Sequence, residues 1–364
     1  MSERPLRILH APTNVGGNPA GLSRAERRLG HHSDVMVFDN DWLNYPADID
    51  LTLRRHARLM KTAIKLRFFL QALPRYDIFV FNFGRTILDF WRMGLHCIDL
   101  PLLRRRGKGI VMIYQGADAR QNWFVRQHFS FGHAALIEAK DRDRRKATRI
   151  AKVGRYAHRI FALNPDLIPV LPPGTTFLPY TVASADESYA RQLTAPATGR
   201  VRVVHAPTDR PVKGTDYIVA ACERLRAAGT PLELVLVERV PHAEAQRLFA
   251  SCHLAVDQLM IGWYGAFAVE VMAMGLPVIC YLRTADLDLL PAELRADLPV
   301  VSAEPNTVCE VLQELVRDST KRRVLGERSR AYVARWHNPL EIGRRMTAVY
   351  REILADSQSH RAVD

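Results

Sequence analysis

Three segments in the second half of the chain decide the fold: VRVVHAPTDRPVKGTDYIVAACERL (residues 201–225), LELVLV (232–237) and LAVDQLMIGWYGAFAVEVMAMGLPVICYL (254–282). Each contains a short run rich in Val, Ile and Leu, and a helical pattern follows each strand-like run. This alternation is typical of βαβ units in a parallel sheet. The elements predicted here are strands Val201–His205, Leu232–Val237, Leu254–Val256 and Pro277–Tyr281, and helices over 215–228, 242–251 and 265–274.

Two loops in these segments carry residues suited to chemistry. Lys213-Gly214-Thr215 follows the first strand and opens a helix. Further on, a loop from Gly262 to Gly265 leads into a helix that carries one carboxylate, Glu270. A cation and then a carboxylate at the ends of parallel strands suit a nucleoside diphosphate and its ribose.

The first half of the chain shows the same alternation, which predicts an α/β protein with a second parallel sheet. A chain of 364 residues is more typical of two domains than of one. We predict a first domain over 1–180, a second over 181–338, and a closing helix and tail over 339–364, with the polar segment Ala183–Arg200 as linker. The strands predicted in the first domain are Leu6–His10, Val35–Phe38, Ile78–Phe83, Ile110–Tyr114 and Ile160–Leu163, with helices near 21–30, 51–73, 85–100 and 140–157.

The second half resembles the donor-binding half of family-4 glycosyltransferases, which have the GT-B fold. The resemblance is carried by Lys213-Gly214 and by Glu270 followed by Met272-Ala273-Met274-Gly275-Leu276-Pro277-Val278. It implies two doubly wound, Rossmann-like domains that face a central cleft, with the acceptor on the first domain and the nucleotide-sugar donor on the second. It also implies a C-terminal helix that crosses back to the first domain, with Trp336-His337-Asn338-Pro339 as the crossover.

Roles for three charged residues follow from this resemblance. Glu270 is expected to accept hydrogen bonds from the ribose hydroxyls, and the alternative is a glutamate favoured by the helix dipole. Lys213 and Arg210 are expected to stabilise the charge that grows on the departing diphosphate. The alternative for this pair is a solvated loop. The family commonly places its arginine five residues before the lysine, where this chain has Thr208, so the assignment of Arg210 depends on a shorter loop.

The chain departs from the family at Gly262. Members usually carry a second glutamate there, eight positions before the ribose glutamate, which helps to hold the donor sugar. Asp257, just upstream, is the nearest acidic candidate for that role, and a strand-end cap is its alternative. The departure leaves open a different donor or a catalytically inactive homologue.

Glycines and strand-end residues complete the predicted donor site. Gly16 and Gly17 follow the first strand and would let the backbone approach a phosphate or a sugar closely. Gly265 is predicted to make a similar backbone contact, and Tyr264, the residue before it, is also predicted to contact the donor. His205 ends a strand at the predicted cleft and is therefore predicted to contact the donor.

Asp118 follows the strand Ile110–Tyr114, so its loop is predicted to reach the cleft. It would orient the acceptor hydroxyl or act as a base; the alternative is an Asp-turn that pairs with Arg120. No metal site is predicted: Asp141-Arg142-Asp143 and Asp286-Leu287-Asp288 lack the context of a strand end, and no Cys/His cluster has zinc spacing.

Charge is distributed unevenly along the chain. Residues 1–180 hold 29 Lys and Arg against 15 Asp and Glu, so the whole positive excess of the protein lies in the first half. The helix predicted over 51–73 has a cationic stripe at Arg54, Arg58, Lys61 and Lys65, and Leu59, Ala63, Leu66 and Leu70 are predicted to face the sheet. A basic amphipathic helix suits an anionic lipid surface, and the alternative is an ordinary surface helix.

The sequence therefore predicts a metal-independent, retaining glycosyltransferase that uses a UDP- or GDP-sugar as co-substrate and no other cofactor. Its acceptor is expected to be anionic or presented at a membrane, although a small soluble metabolite is also open. No apolar run can span a bilayer, and five scattered cysteines indicate a cytoplasmic protein, with peripheral contact to the inner face of the membrane open. The alternatives are a nucleotide-sugar epimerase or phosphorylase-like enzyme and a non-catalytic GT-B partner subunit. A nucleic-acid partner is not predicted, because no motif accompanies the charge.

Overall fold

The computed structural model describes residues 4–40, 44–90, 94–132, 136–137, 142–182 and 199–361. Nearly all of the predicted linker therefore lies outside the described residues, as does Asp141. The first half contains β1 (Arg7–Ala11), α1 (Asn18–Arg28), β2 (His32–Val37), β3 (Ile49–Asp50), α2 (Arg58–Arg75), β4 (Ile78–Asn82), α3 (Asp99–Arg105), β5 (Gly109–Tyr114), α4 (Asn122–His128), α5 (Asp143–Tyr156), β6 (Arg159–Ala162) and β7 (Thr176–Phe177).

The strands of the first half form one parallel sheet in the order β3-β2-β1-β4-β5-β6-β7. The central strands β4 and β5 are buried along their whole length, which explains their continuous apolar runs. Because all strands are parallel, the loops that follow β1, β4 and β5 meet at one edge of the sheet. This edge carries the candidate residues of the first half.

The second half repeats the architecture with a smaller parallel sheet in the order β11-β10-β8-β9. Its loops after β8 and β10 also meet at one edge, and they carry the two loops that the sequence singled out. The elements are β8 (Val201–His205), α6 (Arg210–Lys213), α7 (Thr215–Ala227), β9 (Leu232–Leu236), α8 (His242–Ala250), β10 (Leu254–Val256), α9 (Ala266–Ala273), β11 (Val278–Ile279), α10 (Thr284–Leu287), α11 (Ala292–Asp297), α12 (Val308–Arg317), α13 (Ser319–Trp336) and α14 (Pro339–Arg361).

The last helix, α14, packs on α1 of the first half, as predicted for the crossing helix. Gly343 allows close approach, since a Cβ there would lie 3.1 Å from the Cβ of Ala25. Further along, the Tyr350 hydroxyl donates to Oε1 of the buried Glu26 at 3.0 Å. Glu26 Oε2 lies 2.8 Å from Nε2 of His10 and accepts the Ser33 hydroxyl at 2.6 Å. A buried polar network therefore joins the end of the chain to its first strand and helix.

Two predicted helices differ from the structure. The helix predicted over 85–100 is confined to Asp99–Arg105; among the described residues before it, Thr86 and the Leu88 amide instead donate to the buried Asp99 carboxylate, which fixes a loop. The helix predicted over 51–73 begins at Arg58. Among the described residues, no helix combines the length and apolar character needed to cross a bilayer.

The orientation predicted for α2 is wrong. Leu59, Leu66 and Leu70 point to solvent, with exposed fractions of 86%, 47% and 56%, and Phe69 is buried against the sheet instead. Lys65 also turns inward, with its ammonium 4.0 Å from the centre of the Phe38 ring, and desolvation lowers its pKa. The helix therefore buries its aromatic side and leaves an apolar leucine stripe at the surface.

Candidate active site

A cavity of about 230 Å³ lies between the carboxyl edges of the two sheets. The first half contributes the loop after β1 and Tyr45, and the second half contributes the loops after β8 and β9 and the helices α8 and α9. The residues that line it are Val15, Gly16, Tyr45, Ala206, Pro207, Thr208, Lys213, Val237, Arg239, Val240, His242, Ala245, Phe249, Ala266, Phe267 and Glu270. Gly16, Lys213 and Glu270, which are distant in sequence and were predicted as site residues, thus share one cavity.

Asp257 holds the polar end of this cavity together. Its buried carboxylate follows β10, and Oδ1 accepts the Lys213 ammonium at 3.0 Å. Oδ2 accepts the backbone N–H of Gly265 at 2.6 Å, at the first turn of α9. One carboxylate therefore fixes the lysine loop and the glycine loop relative to each other, and Asp257 acts as the strand-end anchor rather than as an open ligand contact.

The Lys213 ammonium is held beside the N-terminus of α9. It also donates to Oε1 of Gln258 at 2.6 Å, and a Cβ on Gly265 would lie 3.5 Å from its Nζ. A glycine at position 265 therefore leaves room where the ammonium and the helix terminus meet. A fixed cation and free N–H groups at a helix N-terminus form a site suited to an anion.

Glu270 is buried on α9 and also lines the cavity. Its Oε1 lies 2.7 Å from Nε2 of His242, the first residue of α8. The His242 ring in turn packs on the Tyr45 ring of the first half, with 4.8 Å between their centres. Tyr45 and His242 were missed by the sequence reasoning because each is remote from any recognised motif, and only the fold brings them to Glu270.

The wall between these polar groups is apolar. Val237, Val240, Phe249 and Phe267 line it, and the exposed Arg239 stands at its edge with a left-handed backbone, φ +54°. A flat heterocyclic base fits such a wall, and a guanidinium at the rim can stack on it or donate to it. Arg239, not Arg210, is thus the arginine in the lining.

Gly16 and Gly17 adopt left-handed conformations, with φ of +62° and +70°. A Cβ on Gly16 would lie 3.3 Å from the Cβ of Ala266 in α9, and one on Gly17 would lie 3.0 Å from the Tyr45 ring. Larger residues would strain the backbone and crowd both neighbours. Gly16 therefore lets the first half approach the N-terminus of α9 and lies in the cavity lining, and Gly17 leaves room for the Tyr45 ring.

The side chains of His205 and Tyr264, both predicted to contact the donor, are buried and are not part of the cavity lining. His205 Nδ1 donates to the Val256 carbonyl at 2.8 Å, its Nε2 accepts the Thr215 hydroxyl at 2.9 Å, and burial lowers its pKa to about 4. The Tyr264 hydroxyl lies 2.8 Å from that of Tyr332 and 2.9 Å from Nε2 of His337. These residues support the site rather than face it.

The two remaining catalytic candidates lie outside the cavity lining. Arg210 points outward, with Nη1 donating to Glu238 at 3.2 Å and about half its side chain exposed. Asp118 forms the Asp-turn that the sequence offered as an alternative, because its carboxylate accepts the N–H groups of Gln115 and Gly116. Arg120 is paired with Asp166 instead, at 2.7 Å, so that part of the alternative is wrong.

Gly262, where the family carries a glutamate, is required by the backbone. Its φ is +88°, and a Cβ there would lie 2.8 Å from the Cβ of Arg283. A glutamate at this position would face both a left-handed conformation and a steric clash. The departure from the family pattern is therefore coupled to the local fold and is more than a change of side chain.

Among the described residues, no group of three or more His, Cys, Asp or Glu side chains is arranged to hold a metal. The acidic pairs flagged in the sequence are engaged elsewhere. Asp143 accepts the backbone N–H groups of Asn122 and Trp123 at the start of α4. Asp286 pairs with Arg283, and Asp288 pairs with Arg295.

Of the comparisons with known proteins, only the comparison with solved structures finds similar proteins. No family model and no curated protein sequence matches this chain. Sucrose-phosphate synthase from Thermosynechococcus elongatus superimposes on 97% of this chain and 100% of its own, at 17% identity and a TM-score of 0.57. Anabaena HepE, in complex with UDP-glucose, covers 95% of this chain and 100% of its own, at 11% identity and a TM-score of 0.63.

A third similar structure is that of WaaG, a glycosyltransferase involved in lipopolysaccharide biosynthesis. It covers 92% of this chain and 98% of its own, at 15% identity and a TM-score of 0.54. These matches span nearly the full length of both partners. The chain has the GT-B fold, which confirms the fold predicted from its sequence.

The left-handed conformation of Gly262 leads to a prediction about the stability of the protein. Gly262→Ala should destabilise the protein by more than the roughly 1 kcal/mol expected for a left-handed alanine, because it adds a clash to the backbone strain. Gly229→Ala is the matched control, since Gly229 has φ +82° but open space around it. Urea denaturation of both variants measures the difference. Equal losses would show that the Arg283 contact imposes no constraint.

Proposed function

We propose that the protein is a glycosyltransferase that moves a sugar from a UDP- or GDP-sugar to a nucleophilic acceptor. The observation that carries this proposal is the placement of Lys213 beside the N-terminus of α9, in the same cavity as the Glu270 carboxylate. The known structures add support, because HepE was solved with UDP-glucose and S. aureus MnaA with UDP. Those ligands were observed in those proteins. The residues described above are the reason to propose a nucleotide-sugar donor for this chain.

The donor would lie along the cavity in a fixed order. The base would occupy the apolar wall of Val237, Val240 and Phe267, and the ribose hydroxyls would donate to Glu270 in exchange for, or alongside, His242. The diphosphate would then lie near Gly16 and Lys213. This order places the glycosidic bond between the two sheets, where an acceptor on the first half can reach it.

The chemistry proposed for this site needs charge stabilisation more than proton transfer from the protein. Negative charge grows on the diphosphate oxygen as the glycosidic bond breaks, and a fixed ammonium and oriented N–H groups stabilise it. Lys213 and the α9 N-terminus would supply that charge, which is why we propose a metal-independent reaction. Retention at the anomeric carbon would follow if the acceptor attacks from the side of the leaving group, with the departing diphosphate taking the proton.

The first experiment measures nucleotide binding by calorimetry with UDP and GDP. Glu270→Ala should weaken binding of the nucleotide that the parent protein prefers by about ten- to a hundredfold, because hydrogen bonds to a charged group contribute roughly 1.5–3 kcal/mol. Glu244→Ala on the exposed face of α8 is the matched control. Unchanged affinity in Glu270→Ala, with the fold intact, would remove Glu270 from the ribose site.

A panel of UDP- and GDP-sugars then separates the possible activities by release of nucleoside diphosphate. Release that depends on an added acceptor extract supports a transferase. Interconversion of sugars without an acceptor would indicate an epimerase instead. Nucleotide binding with no turnover in any combination would favour a non-catalytic partner subunit.

The role of Lys213 predicts a specific kinetic pattern. Lys213→Met should lower kcat by about a hundredfold or more while changing KM for the donor little, because the ammonium acts mainly on charge formed in the transition state. Lys321→Met, at a surface lysine of α13, is the control. Thermal unfolding must accompany the assay, since Asp257 loses its cation in the variant. An effect on KM alone would assign Lys213 to ground-state binding.

We further propose that α2 docks the protein on an anionic lipid surface. Residues 51–75 contain seven Lys and Arg residues and no Asp or Glu. The residues that would contact the lipid differ from those predicted from the sequence. The leucine stripe of Leu59, Leu66 and Leu70 is exposed, and Lys65 is turned inward. An apolar stripe bordered by cations is the arrangement by which an amphipathic helix lies in a lipid interface.

The cations that remain available beside this stripe are Arg54, Arg55, Arg58 and Arg67. Each is exposed, and within the described part of the chain none has an ionic partner. A cation near an anionic membrane surface contributes about 1 kcal/mol. Four of them, together with the leucines, would give reversible binding without a membrane-spanning segment.

Co-sedimentation with vesicles tests this docking. Binding should require anionic lipid, fade with salt, and fall at least tenfold when Leu59, Leu66 and Leu70 become serine or when the four arginines become glutamine. Val324→Ser, at an exposed apolar residue of α13, should bind like the parent protein. Binding that ignores lipid charge, or that survives loss of the leucines, would reject α2 as the docking element.

A further inference from the structure

A second pocket, of about 510 Å³, opens at the carboxyl ends of β4 and β5, where α5 begins. It is separate from the donor cavity, and no lining residue is shared between the two. We call it the α5 pocket. Its lining residues are Phe83, Gly84, Arg85, Ala117, Asp118, Arg142, Arg145, Lys146 and Arg149.

The α5 pocket is strongly cationic: five of its lining residues are Arg or Lys and one is acidic. The acidic residue, Asp118, directs its carboxylate at backbone N–H groups of its own turn. Arg149 is paired with Asp89 at 2.9 Å, and Arg85 is exposed without an ionic partner in the described ranges. The pocket therefore carries a net positive charge that an anionic ligand would neutralise.

The loop after β4 packs closely on the turn that carries Asp118. Phe83 and Gly84 both have φ of +58°, and a left-handed phenylalanine is a strained conformation. A Cβ on Gly84 would lie 3.1 Å from the Tyr114 ring and 3.3 Å from the Cβ of Asp118. The glycine thus permits a close approach of the two loops, and the strain is located at the mouth of the pocket.

The position of the α5 pocket relates it to the donor cavity. Gly16, which follows β1, lines the donor cavity, and β4 and β5 are the next two strands along the same sheet. Neighbouring strands lie roughly 4.8 Å apart, so the loops after β1 and β5 are separated by roughly 10 Å along one edge. A molecule held in the α5 pocket could therefore extend a hydroxyl toward a sugar held at the donor cavity.

We propose that the α5 pocket binds a phosphoryl group of the acceptor and that Asp118 orients the acceptor hydroxyl. Arginine is suited to this ligand because its fork of N–H donors matches phosphate oxygens. The proposal rests on the proposed transferase function. In the transfer, the acceptor oxygen bonds to the anomeric carbon, the bond from that carbon to the diphosphate oxygen breaks, and the hydroxyl proton passes to the departing diphosphate.

Asp118 is suited to the positioning role by its surroundings. Burial raises its pKa to about 6, and the N–H groups that it accepts fix its orientation. Oδ2 of Asp118 accepts the Gln115 N–H at 3.2 Å and retains lone-pair capacity beyond that bond, so a hydroxyl can still donate to it. The phosphoryl site and the hydroxyl acceptor are therefore adjacent on the same pocket wall.

The first test uses inorganic pyrophosphate as the probe, in the Lys213→Met background, so that the proposed diphosphate site of the donor cavity contributes less to binding. Calorimetry should detect binding that falls at least tenfold in Arg85→Gln and in Arg145→Gln. Arg155→Gln, on the same helix but outside the pocket lining, is the matched control. Equal binding by all variants, or no binding, would overturn the proposal.

The second test separates this proposal from the proposed function. Nucleotide binding should be unchanged in Arg85→Gln and Arg145→Gln, whereas transfer to phosphorylated acceptors should show a KM raised at least tenfold. The acceptor panel pairs soluble hexose phosphates with neutral hexoses, and vesicles containing a polyprenyl phosphate sugar with vesicles lacking it, which identifies the source of the phosphoryl group. Preference for neutral acceptors, with nucleotide binding intact, would reject the phosphoryl site and leave the transferase proposal standing.

Discussion

The geometry of the candidate site depends on one buried carboxylate. Asp257 accepts the Lys213 ammonium on one oxygen and the Gly265 N–H on the other, at 3.0 and 2.6 Å. A buried ion pair is stabilising only when its remaining hydrogen bonds are made, and both Asp257 oxygens are occupied here. Because the two partners belong to loops that follow different strands, this contact sets where a cation stands relative to the N-terminus of α9. Donor binding and leaving-group stabilisation would both depend on that relation.

The same loops explain why the chain departs from the glutamate pattern of the family that it resembles. The position of the missing glutamate is occupied by Gly262 in a left-handed conformation against Arg283, and Arg283 in turn pairs with Asp286 and donates to the His128 carbonyl of the first half. The space that a glutamate side chain would need is thus used for a contact between the two halves.

The fold could be predicted because most of its strands are apolar runs bounded by polar loops, and parallel sheets bury such runs on both faces. Lys213 and Glu270 could be selected from the motifs of the family that the chain resembles, and Gly16 because it stands just beyond a strand end, where parallel sheets form their clefts. His205 met the same criterion, but its ring turns back into the sheet. Whether a strand-end side chain points out or in is decided by packing, which a single sequence does not reveal.

Other features required the tertiary structure. The periodicity of α2 allows either the leucines or the aromatic residues to face the sheet, and Phe69 fills the core while the leucines remain outside. Tyr45 reaches His242 across the two halves, and the cationic α5 pocket joins a strained loop after β4 to a helix some 60 residues later. The net charge of the first half predicts an anionic partner, and the arrangement of the arginines in the structure is the reason why we propose the α5 pocket as its site.

A crystal structure with the nucleoside diphosphate that binds best would test the central claim most directly. The account predicts a diphosphate oxygen within hydrogen-bonding distance of Lys213 Nζ and the first N–H groups of α9, with the ribose hydroxyls at Glu270 and the base against Val237 and Phe267. A nucleotide bound with its ribose away from Glu270, or with its diphosphate in the α5 pocket, would contradict it.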